Sequence, residues 1–229
     1  MQRSALDGRV VLVTGAAGRL AERIFPALTR ARARTAAVIH HERESERVRA
    51  AGAEQVVVGD LAEESFAAAC FSTVRAHLGD IYGVVHAAGG WRPTPLHGTS
   101  LASWREVIDA NLTSTINILR EAAAALPAGG RVVTFAAAQG ADRGAAGQGA
   151  YSAAKAGVVR LVEAAGAELR KQGISVFAIA PSTILYGAES DRPGVSAAAL
   201  ADLCLYLLTL DDPAALSGQV IRAYGTVGP

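Results

Sequence analysis

Tyr151 and Lys155 stand four residues apart in a segment whose periodicity predicts a helix. Side chains at that spacing share one helix face. Because a fixed ammonium favours the ionised form of a neighbouring phenol, we expect Lys155 to lower the pKa of Tyr151. A tyrosine tuned in this way can exchange a proton with a carbonyl or alcohol oxygen.

A glycine-rich turn joins the first predicted strand to the first predicted helix, with the sequence Thr14-Gly15-Ala16-Ala17-Gly18-Arg19-Leu20-Ala21. Gly15 suits the tight turn, and Gly18 allows the backbone to approach a pyrophosphate at the helix N-terminus. Ala21 takes the third position, where a small residue serves helix–strand packing. A glycine-rich turn without a ligand is the plainer alternative. Together with a proton donor, a nucleotide site indicates hydride chemistry.

The end of the second predicted strand bears on the choice of dinucleotide. NAD sites often place an acidic residue there, on the ribose, but this chain has Ile39 and His40. Arg19 and Arg43 are guanidiniums suited to a 2′-phosphate, so we expect NADP(H) rather than NAD(H). Glu42 leaves NAD(H) open, because its carboxylate can bind the ribose hydroxyls.

Asp60 closes the third predicted strand. Its carboxylate can accept a hydrogen bond from an adenine amino group, or it can cap the helix that follows. Both interpretations stay open.

Composition excludes several other functions. The chain has 229 residues, of which 51% are hydrophobic and 19% are charged, and its net charge is +1. Without a basic field or a long apolar run, neither nucleic-acid binding nor a membrane span is expected. Cys70 and Cys204 have no metal-ligand spacing, so we expect no metal and two reduced thiols. With no apolar run near the N-terminus, these features indicate a cytoplasmic protein.

Strand-like and helix-like runs alternate along the whole chain, which predicts one α/β domain over 1–229. Crossover helices require parallel strands, so the expected fold is a Rossmann-type, doubly wound sheet of seven strands with helices on both faces. The loops at 89–100 and 182–196 follow strand ends, where such sheets bind ligands, and the second is the expected substrate loop. The predicted strands are 10–13, 36–39, 55–58, 81–85, 131–135, 174–179 and 219–224, and the predicted helices are 19–32, 42–51, 63–77, 103–125, 149–171 and 197–210.

In this order of motifs the chain resembles the short-chain dehydrogenase/reductase family, over nearly its whole length. The motifs are the glycine-rich turn, Asp60-Leu61, His86-Ala87-Ala88-Gly89, Asn111-Leu112, Tyr151 to Lys155, and Ala180-Pro181-Ser182-Thr183.

The resemblance implies a role for each matching residue. Tyr151 is the expected general acid/base, Lys155 tunes it and holds the nicotinamide ribose, and Asn111 supports a water in a proton relay. The residues expected to contact the cofactor are Gly15, Ala17, Gly18, Arg19, Leu20, Arg43, Asp60, Leu61, Ala87, Ala88, Gly89, Lys155, Pro181 and Thr183. The family's helices also imply a homodimer or homotetramer acting on a small molecule.

The chain departs from the family pattern at several positions. Arg19 and Ala21 replace two turn glycines, and His86 and Ala87 replace asparagines. The family serine about 13 residues before the tyrosine is also missing, since this position falls on Ala137 or Ala138. That hydroxyl binds the substrate oxygen, and its loss can cost a few kcal/mol of barrier.

Three explanations of the missing serine remain open. Gln139 or Ser182 donates in its place, the substrate needs less help, or the protein is weakly active. The second explanation has a precedent in the family, because quinonoid dihydropteridine reductases, which this chain resembles, keep the tyrosine and lysine without the serine. Trp91 then either stacks on a flat ring or packs internally; the candidate substrate contacts are Trp91, Ala138, Gln139 and Tyr151.

The sequence therefore predicts an NAD(P)H-dependent reductase of a carbonyl, a quinone or a quinonoid pterin-like substrate, with Tyr151 as proton donor. The alternative is a weak or inactive nucleotide-binding protein that acts as a redox sensor or a partner-binding subunit.

Overall fold

The computed structural model of the protein describes residues 6–187 and 192–225. The predicted substrate loop at 182–196 therefore lies partly outside the described residues, at 188–191.

Nine strands are present in the described part of the chain. Seven of them form one parallel sheet, in the order β3-β2-β1-β4-β5-β6-β9, and β7 and β8 form a separate parallel pair. Their bounds are β1 Val10–Thr14, β2 Arg34–Ile39, β3 Gln55–Val58, β4 Ile81–His86, β5 Arg131–Phe135, β6 Ser175–Pro181, β7 Ile184–Leu185, β8 Val195–Ser196 and β9 Val220–Ala223. The prediction of a seven-stranded parallel sheet is confirmed.

Helices cover both faces of this sheet. Their bounds are α1 Ala21–Arg30, α2 Ser45–Ala50, α3 Glu64–Leu78, α4 Leu101–Ile108, α5 Ser114–Ala125, α6 Ala138–Ala141, α7 Gly149–Glu168 and α8 Ala197–Thr209. A π-helical turn, Asp109–Thr113, joins α4 to α5, and 3-10 turns lie at Glu42–Glu44, Leu169–Gln172 and Pro213–Leu216.

The central strands are apolar on both faces because each face packs against helices. Val11 and Val13 of β1 belong to a core shared with α1 and α8. Val10 and Leu12 point the other way, into a core shared with α3, α5 and α7. This alternation along a pleated strand explains why β1 reads as a continuous apolar run.

The strand order reverses at β1, which lies between β2 and β4. In an open α/β sheet, ligands bind beyond the carboxyl ends of the strands at such a reversal. Thr14 and His86 are paired residues at the ends of β1 and β4, so the candidate site is expected directly above them.

Three features differ from the sequence-based expectations. The single helix predicted at 103–125 is interrupted by the π-helical turn. The sequence predicts no element at the position of α6, and β7 and β8 lie inside the loop predicted at 182–196. None of them has a long periodic pattern, because each is only two to five residues long, and contacts with distant parts of the chain stabilise it.

Gly140 allows α6 to pack directly on α7. A Cβ at this position would overlap the backbone of Lys155 and Ala156. We expect Gly140→Ala to lower the free energy of unfolding by about 1–3 kcal/mol, as overpacking does in a filled core, measured by urea denaturation.

Gly144→Ala is the matched control, since its Cβ would meet only the Ser152 side chain at 3.6 Å. Equal stability of the two variants would show that α6 does not pack on α7 as described.

Candidate active site

The glycine-rich turn packs against the end of β4. Gly15 has φ of 63°, and a Cβ there would stand 2.6 Å from the Ala87 carbonyl oxygen. The Gly18 N–H donates to the Gly15 carbonyl at 2.9 Å, and the Ala16 N–H donates to Val38 at 3.1 Å. Only a residue without a side chain permits this close approach, which holds the turn open toward the cleft.

A cavity of about 640 Å³ runs along this turn and over the ends of β2 and β3. Its walls include the predicted cofactor contacts Gly15, Ala17, Gly18, Asp60, Leu61, Ala87, Ala88 and Gly89. An elongated cleft beside a helix N-terminus with exposed backbone fits the adenosine and pyrophosphate half of a dinucleotide.

The charged side chains that line this larger cavity are acidic. They come from the end of β2, the end of β3 and the helical segment around the π turn, and they are Glu44, Asp60, Glu63, Glu106 and Asp109. Asp60 also accepts a hydrogen bond from the Ala62 N–H at 2.9 Å, but this bond lies within the turn before α3, whose N-cap is Glu63, so the prediction that Asp60 caps the helix is wrong. The Asp60 side chain therefore has both a structural contact and a place in the cavity wall.

The two arginines expected at the 2′-phosphate do not meet there. The Arg19 guanidinium lies 4.0 Å from the ring centroid of Tyr186, at the other end of the cleft. Arg43 is exposed and is not part of either cavity wall. Arg47 donates to Glu22 at 2.9 Å and to the Ala17 carbonyl of the turn at 2.6 Å.

A smaller cavity of about 270 Å³ adjoins the first and shares Gly15, Gly18 and Ala87 to Gly89 with it. Tyr151, Lys155 and Asn111 all line this space, with Arg19, Leu20, Trp91, Pro181, Ile184 and Tyr186. The sequence-predicted acid/base group and the glycine-rich turn therefore face one continuous cleft.

The first turn of α7 positions Tyr151. The fully buried Thr94 accepts a hydrogen bond from the Ala150 N–H at 3.1 Å, and its own N–H donates to the Gly147 carbonyl at 2.7 Å. The loop after β4 therefore caps the helix that carries the tyrosine, which supplies a partner for an otherwise unpaired N–H.

Lys155 is 5% exposed, and its Nζ donates to the Phe135 carbonyl at 2.7 Å. Burial lowers the pKa of Lys155 to about 8, because removing an ammonium from water disfavours its charged form. Its Nζ lies 5.8 Å from the centroid of the Tyr151 ring. The lysine is thus held beside the ring, with its hydrogen bond directed to β5.

The expected acidification of Tyr151 is wrong for this arrangement. Burial raises the pKa of Tyr151 instead, because the phenolate would lose its hydration and the ammonium is held on the Phe135 carbonyl. The phenol is consequently protonated at neutral pH, the state in which it can donate a proton.

Asn111 lies in the π-helical turn and is 1% exposed. Its Nδ2 donates to the Gly90 carbonyl at 2.7 Å and to the Val107 carbonyl at 2.8 Å. Within the described part of the chain its buried Oδ1 has no hydrogen-bond partner. A Cβ at Gly89 would stand 2.6 Å from this Oδ1 and 3.6 Å from Lys155 Nζ, so the glycine keeps the space between the two side chains open.

Comparisons with known proteins agree with this geometry. The family model described as enoyl-(acyl carrier protein) reductase matches residues 15–221. D-threitol dehydrogenase of Mycolicibacterium smegmatis is 32% identical over 186 residues, which cover 79% of this chain and 72% of that protein. The chain belongs to the short-chain dehydrogenase/reductase family. It is an oxidoreductase of this family.

Matches to two further members extend over almost the whole chain. Acetoacetyl-CoA reductase of Rhizobium meliloti is 30% identical over 239 residues, covering 95% of this chain and 97% of that protein. The crystal structure of levodione reductase superposes with a TM-score of 0.86 at 25% identity, covering 96% of this chain and 97% of the other. The Rossmann-type fold is therefore confirmed.

The hydroxyl that the short-chain dehydrogenase/reductase family places before the tyrosine is not replaced by Gln139 or Ser182, the two donors expected from the sequence. Ala137 is the N-cap of α6 and Ala138 is its first residue, and neither they nor Gln139 line the smaller cavity. The Ser182 hydroxyl donates to the Tyr224 carbonyl at 2.7 Å. Among the described residues of that cavity wall, only Tyr151 and Tyr186 carry a side-chain hydroxyl.

Four predicted contacts lie away from both cavities: Arg43, Ala138, Gln139 and Thr183. Thr183 is exposed, and its carbonyl accepts the Val195 N–H at 2.9 Å, which joins β7 to β8. Pro181 of the same motif does line the smaller cavity, so the motif's predicted position is met at Pro181 and not at Thr183.

Sequence reasoning missed Tyr186 and Glu44 as wall residues. Tyr186 stands between Ile184 and the undescribed 188–191 and has no motif around it, whereas Glu44 could have been found beside Glu42 at the end of β2.

No group of three or more His, Cys, Asp or Glu side chains among residues 6–187 and 192–225 is arranged to hold a metal. In the same residues, no helix has the length and apolar character needed to cross a membrane.

The depressed pKa of Lys155 predicts a pH-dependent stability. The folded protein releases this proton near pH 8, whereas the unfolded chain keeps it until about pH 10.4. The unfolded state therefore binds more protons in this window, and the wild type gains stability from Lys155 as pH rises through it. Relative to Lys155→Met, we expect wild type to gain up to about 3 kcal/mol between pH 7 and pH 10.

Urea denaturation of both proteins at a series of pH values measures this difference. Lys171→Met, at an exposed position, controls for the loss of a surface lysine. A difference between wild type and Lys155→Met that is constant across the series would contradict the buried-ammonium account.

Proposed function

We propose that this protein reduces a flat, conjugated carbonyl or quinonoid compound at the expense of a nicotinamide dinucleotide, with Tyr151 as proton donor. When bound, the dinucleotide supplies the hydride. The observation that carries the proposal is the continuity of the two cavities, which brings Tyr151, Lys155 and Asn111 to the same cleft as the glycine-rich turn.

Each of the three polar side chains has a separate task. Tyr151, whose protonated form is favoured further because burial raises its pKa, gives its proton to the substrate oxygen or nitrogen. Lys155 stabilises the phenolate that remains, and its position is fixed by the Phe135 carbonyl. Asn111 offers its unpartnered Oδ1 to a water that returns a proton to the site.

The missing hydroxyl favours a reactive substrate. Ala137 and Ala138 cannot donate, and Ser182 is engaged with Tyr224. A ketone would therefore lose one hydrogen bond to its developing oxyanion. A quinone or a quinonoid pterin-like ring needs less assistance, because reduction restores aromatic conjugation.

The walls of the smaller cavity suit a flat substrate. Trp91 is 57% exposed at its mouth, and the Tyr186 ring, covered on one face by Arg19, forms another part of the wall. Aromatic side chains bind planar rings by offset or edge-to-face contact. We therefore assign Trp91 to substrate stacking.

The choice of dinucleotide follows from the larger cavity. Its charged wall residues, Glu44, Asp60 and Glu63 among them, are acidic, and Arg47 is already paired with Glu22. A 2′-phosphate would be repelled there. These contacts favour NAD(H), in place of the NADP(H) expected from Arg19 and Arg43.

A second candidate, a nucleotide-binding protein with little turnover, is favoured by the same missing hydroxyl. The free-energy cost of burying the Lys155 ammonium argues against this candidate, because a protein that only binds a nucleotide has no need of an ammonium beside a phenol. A homodimer or homotetramer stays a proposal. It is supported by the apolar Ile116 side chain on α5, which is 36% exposed. Light scattering of the purified protein measures the oligomeric state.

Tyr151→Phe tests the function directly. With 9,10-phenanthrenequinone as a flat quinone probe, we expect the variant to lose about 10²–10⁴-fold in kcat, the usual contribution of a positioned acid. Oxidation of NADH and of NADPH is followed by absorbance, and the wild type is expected to prefer NADH.

Dinucleotide affinity, measured by fluorescence, should be unchanged, since the phenol is not part of the glycine-rich turn. Turnover that survives in Tyr151→Phe would favour the binding-protein alternative.

Ala138→Ser tests the substrate class by restoring the family's hydroxyl. We expect kcat/KM for a plain ketone such as cyclohexanone to rise about 10²-fold, as one oxyanion donor contributes, with little change for the quinone. Ala137→Ser is the matched control, because it adds the same hydroxyl at a position that is 3% exposed, whereas Ala138 is only half-buried and leaves its added hydroxyl more room to turn toward the cleft. If the quinone rate rises as much as the ketone rate, the assignment to a reactive substrate is wrong.

A further inference from the structure

We propose that His86 is a positioning residue which, as a neutral imidazole protonated on Nε2, holds the π-helical turn that carries Asn111. The inference rests on the proposed role of Asn111 and assigns a function to a side chain that replaces an asparagine of the family.

His86 is the last residue of β4 and bridges two distant parts of the chain. Its Nδ1 lies 2.8 Å from Thr14 Oγ1 at the end of β1. Its Nε2 lies 3.1 Å from Thr115 Oγ1 and 3.4 Å from Ser114 Oγ, at the start of α5. One ring thus connects the strand that enters the glycine-rich turn to the helix that follows Asn111.

The hydroxyl groups of α5 determine where the ring proton resides. Thr115 Oγ1 donates its only proton to the Asn111 carbonyl at 2.6 Å, and Ser114 Oγ donates to the Ala110 carbonyl at 2.8 Å. Both oxygens therefore face His86 with lone pairs, so Nε2 must carry the hydrogen.

The other side of the ring agrees with this assignment. Thr14 Oγ1 accepts from the Ala88 N–H at 3.2 Å, and its own proton is available to the bare Nδ1 of His86. Every hydrogen bond of the cluster then has one donor and one acceptor. Charging the ring would leave the Thr14 proton without this acceptor.

The surroundings keep the ring neutral. His86 is 1% exposed, and the charge of Lys155 acts on its ring. Burial, and secondly the Lys155 charge, lower the pKa of His86 to about 3. The ring is therefore neutral at neutral pH, and the hydrogen bonds described above select its Nε2–H tautomer.

The consequence reaches Asn111 through its own backbone. A π-helical turn displaces carbonyl groups from the regular α-helical ladder, and the carbonyls of Ala110 and Asn111 are bound by Ser114 and Thr115 side chains. His86 orients those hydroxyls. Without this link we expect the turn to relax and the Asn111 Oδ1 to leave the position beside Gly89.

Thr115→Val removes the shorter of the two links from His86 to α5, together with the Thr115 bond to the Asn111 carbonyl, with almost no change in shape. We expect kcat for 9,10-phenanthrenequinone to fall roughly 10- to 100-fold, as for a misplaced catalytic group, with KM nearly constant. In an Asn111→Ala background the same substitution should change kcat less than about twofold, because residues acting as one unit are not additive.

Thr134→Val is the matched control. Thr134 pairs with His86 on the neighbouring strand and is buried, and its hydroxyl has no partner within the described ranges. Replacing it should leave kcat unchanged. Equal losses of kcat from Thr115→Val in both backgrounds would overturn the proposal.

Two spectroscopic readouts test the proposal independently of turnover. Nitrogen-15 NMR should find the His86 ring with hydrogen on Nε2 alone from pH 8 to pH 5, and a second ring proton at pH 6 would overturn the assignment. The Asn111 side-chain amide resonances should move in Thr115→Val and stay in place in Thr134→Val, and immobile resonances would show that His86 does not act on Asn111. If the wild type fails to reduce the quinone, the proposed function is wrong. The two spectroscopic readouts would still decide whether His86 positions Asn111.

Discussion

The ammonium of Lys155 is the group on which the site depends, because it is a charge held almost entirely out of water. Its hydrogen bond to the Phe135 carbonyl fixes α7 against the end of β5. Gly140 lets α6 approach the same segment, and Gly89 leaves space between the ammonium and Asn111. Removing an ion from water is costly, so the surrounding backbone has to supply a matched acceptor, and this requirement fixes where Tyr151 stands.

The polar residues around this ammonium form a connected frame. Thr14, His86 and Thr115 join β1, β4 and α5 beneath the cleft, and the loop containing Thr94 caps α7 beside it. Such buried networks are stable only when each member finds a partner. Among the described residues, the Asn111 Oδ1 is one of the buried atoms without a partner, and it lies where the proposed chemistry needs an open acceptor.

Much of the fold could be predicted because its signals are local. Apolar runs such as Val10 to Val13 mark strands covered on both faces, and the spacing of Tyr151 and Lys155 places both on one turn of helix. The position of Arg19 could not be predicted, because its partner Tyr186 is brought near only by the folded chain. The same is true of the pKa of Tyr151, since spacing reveals a neighbour but not the depth of burial or the direction of the lysine's hydrogen bond.

The hydroxyl of Ser182 is held by the carbonyl of Tyr224, just after β9. The tyrosine's own hydroxyl binds Asp142, and Arg222 of β9 binds the same carboxylate at 2.7 Å. The edge strand is thereby tied both to the segment that follows β6 and to the end of α6. The place of Ser182 after β6 therefore depends on β9 being docked at the edge of the sheet.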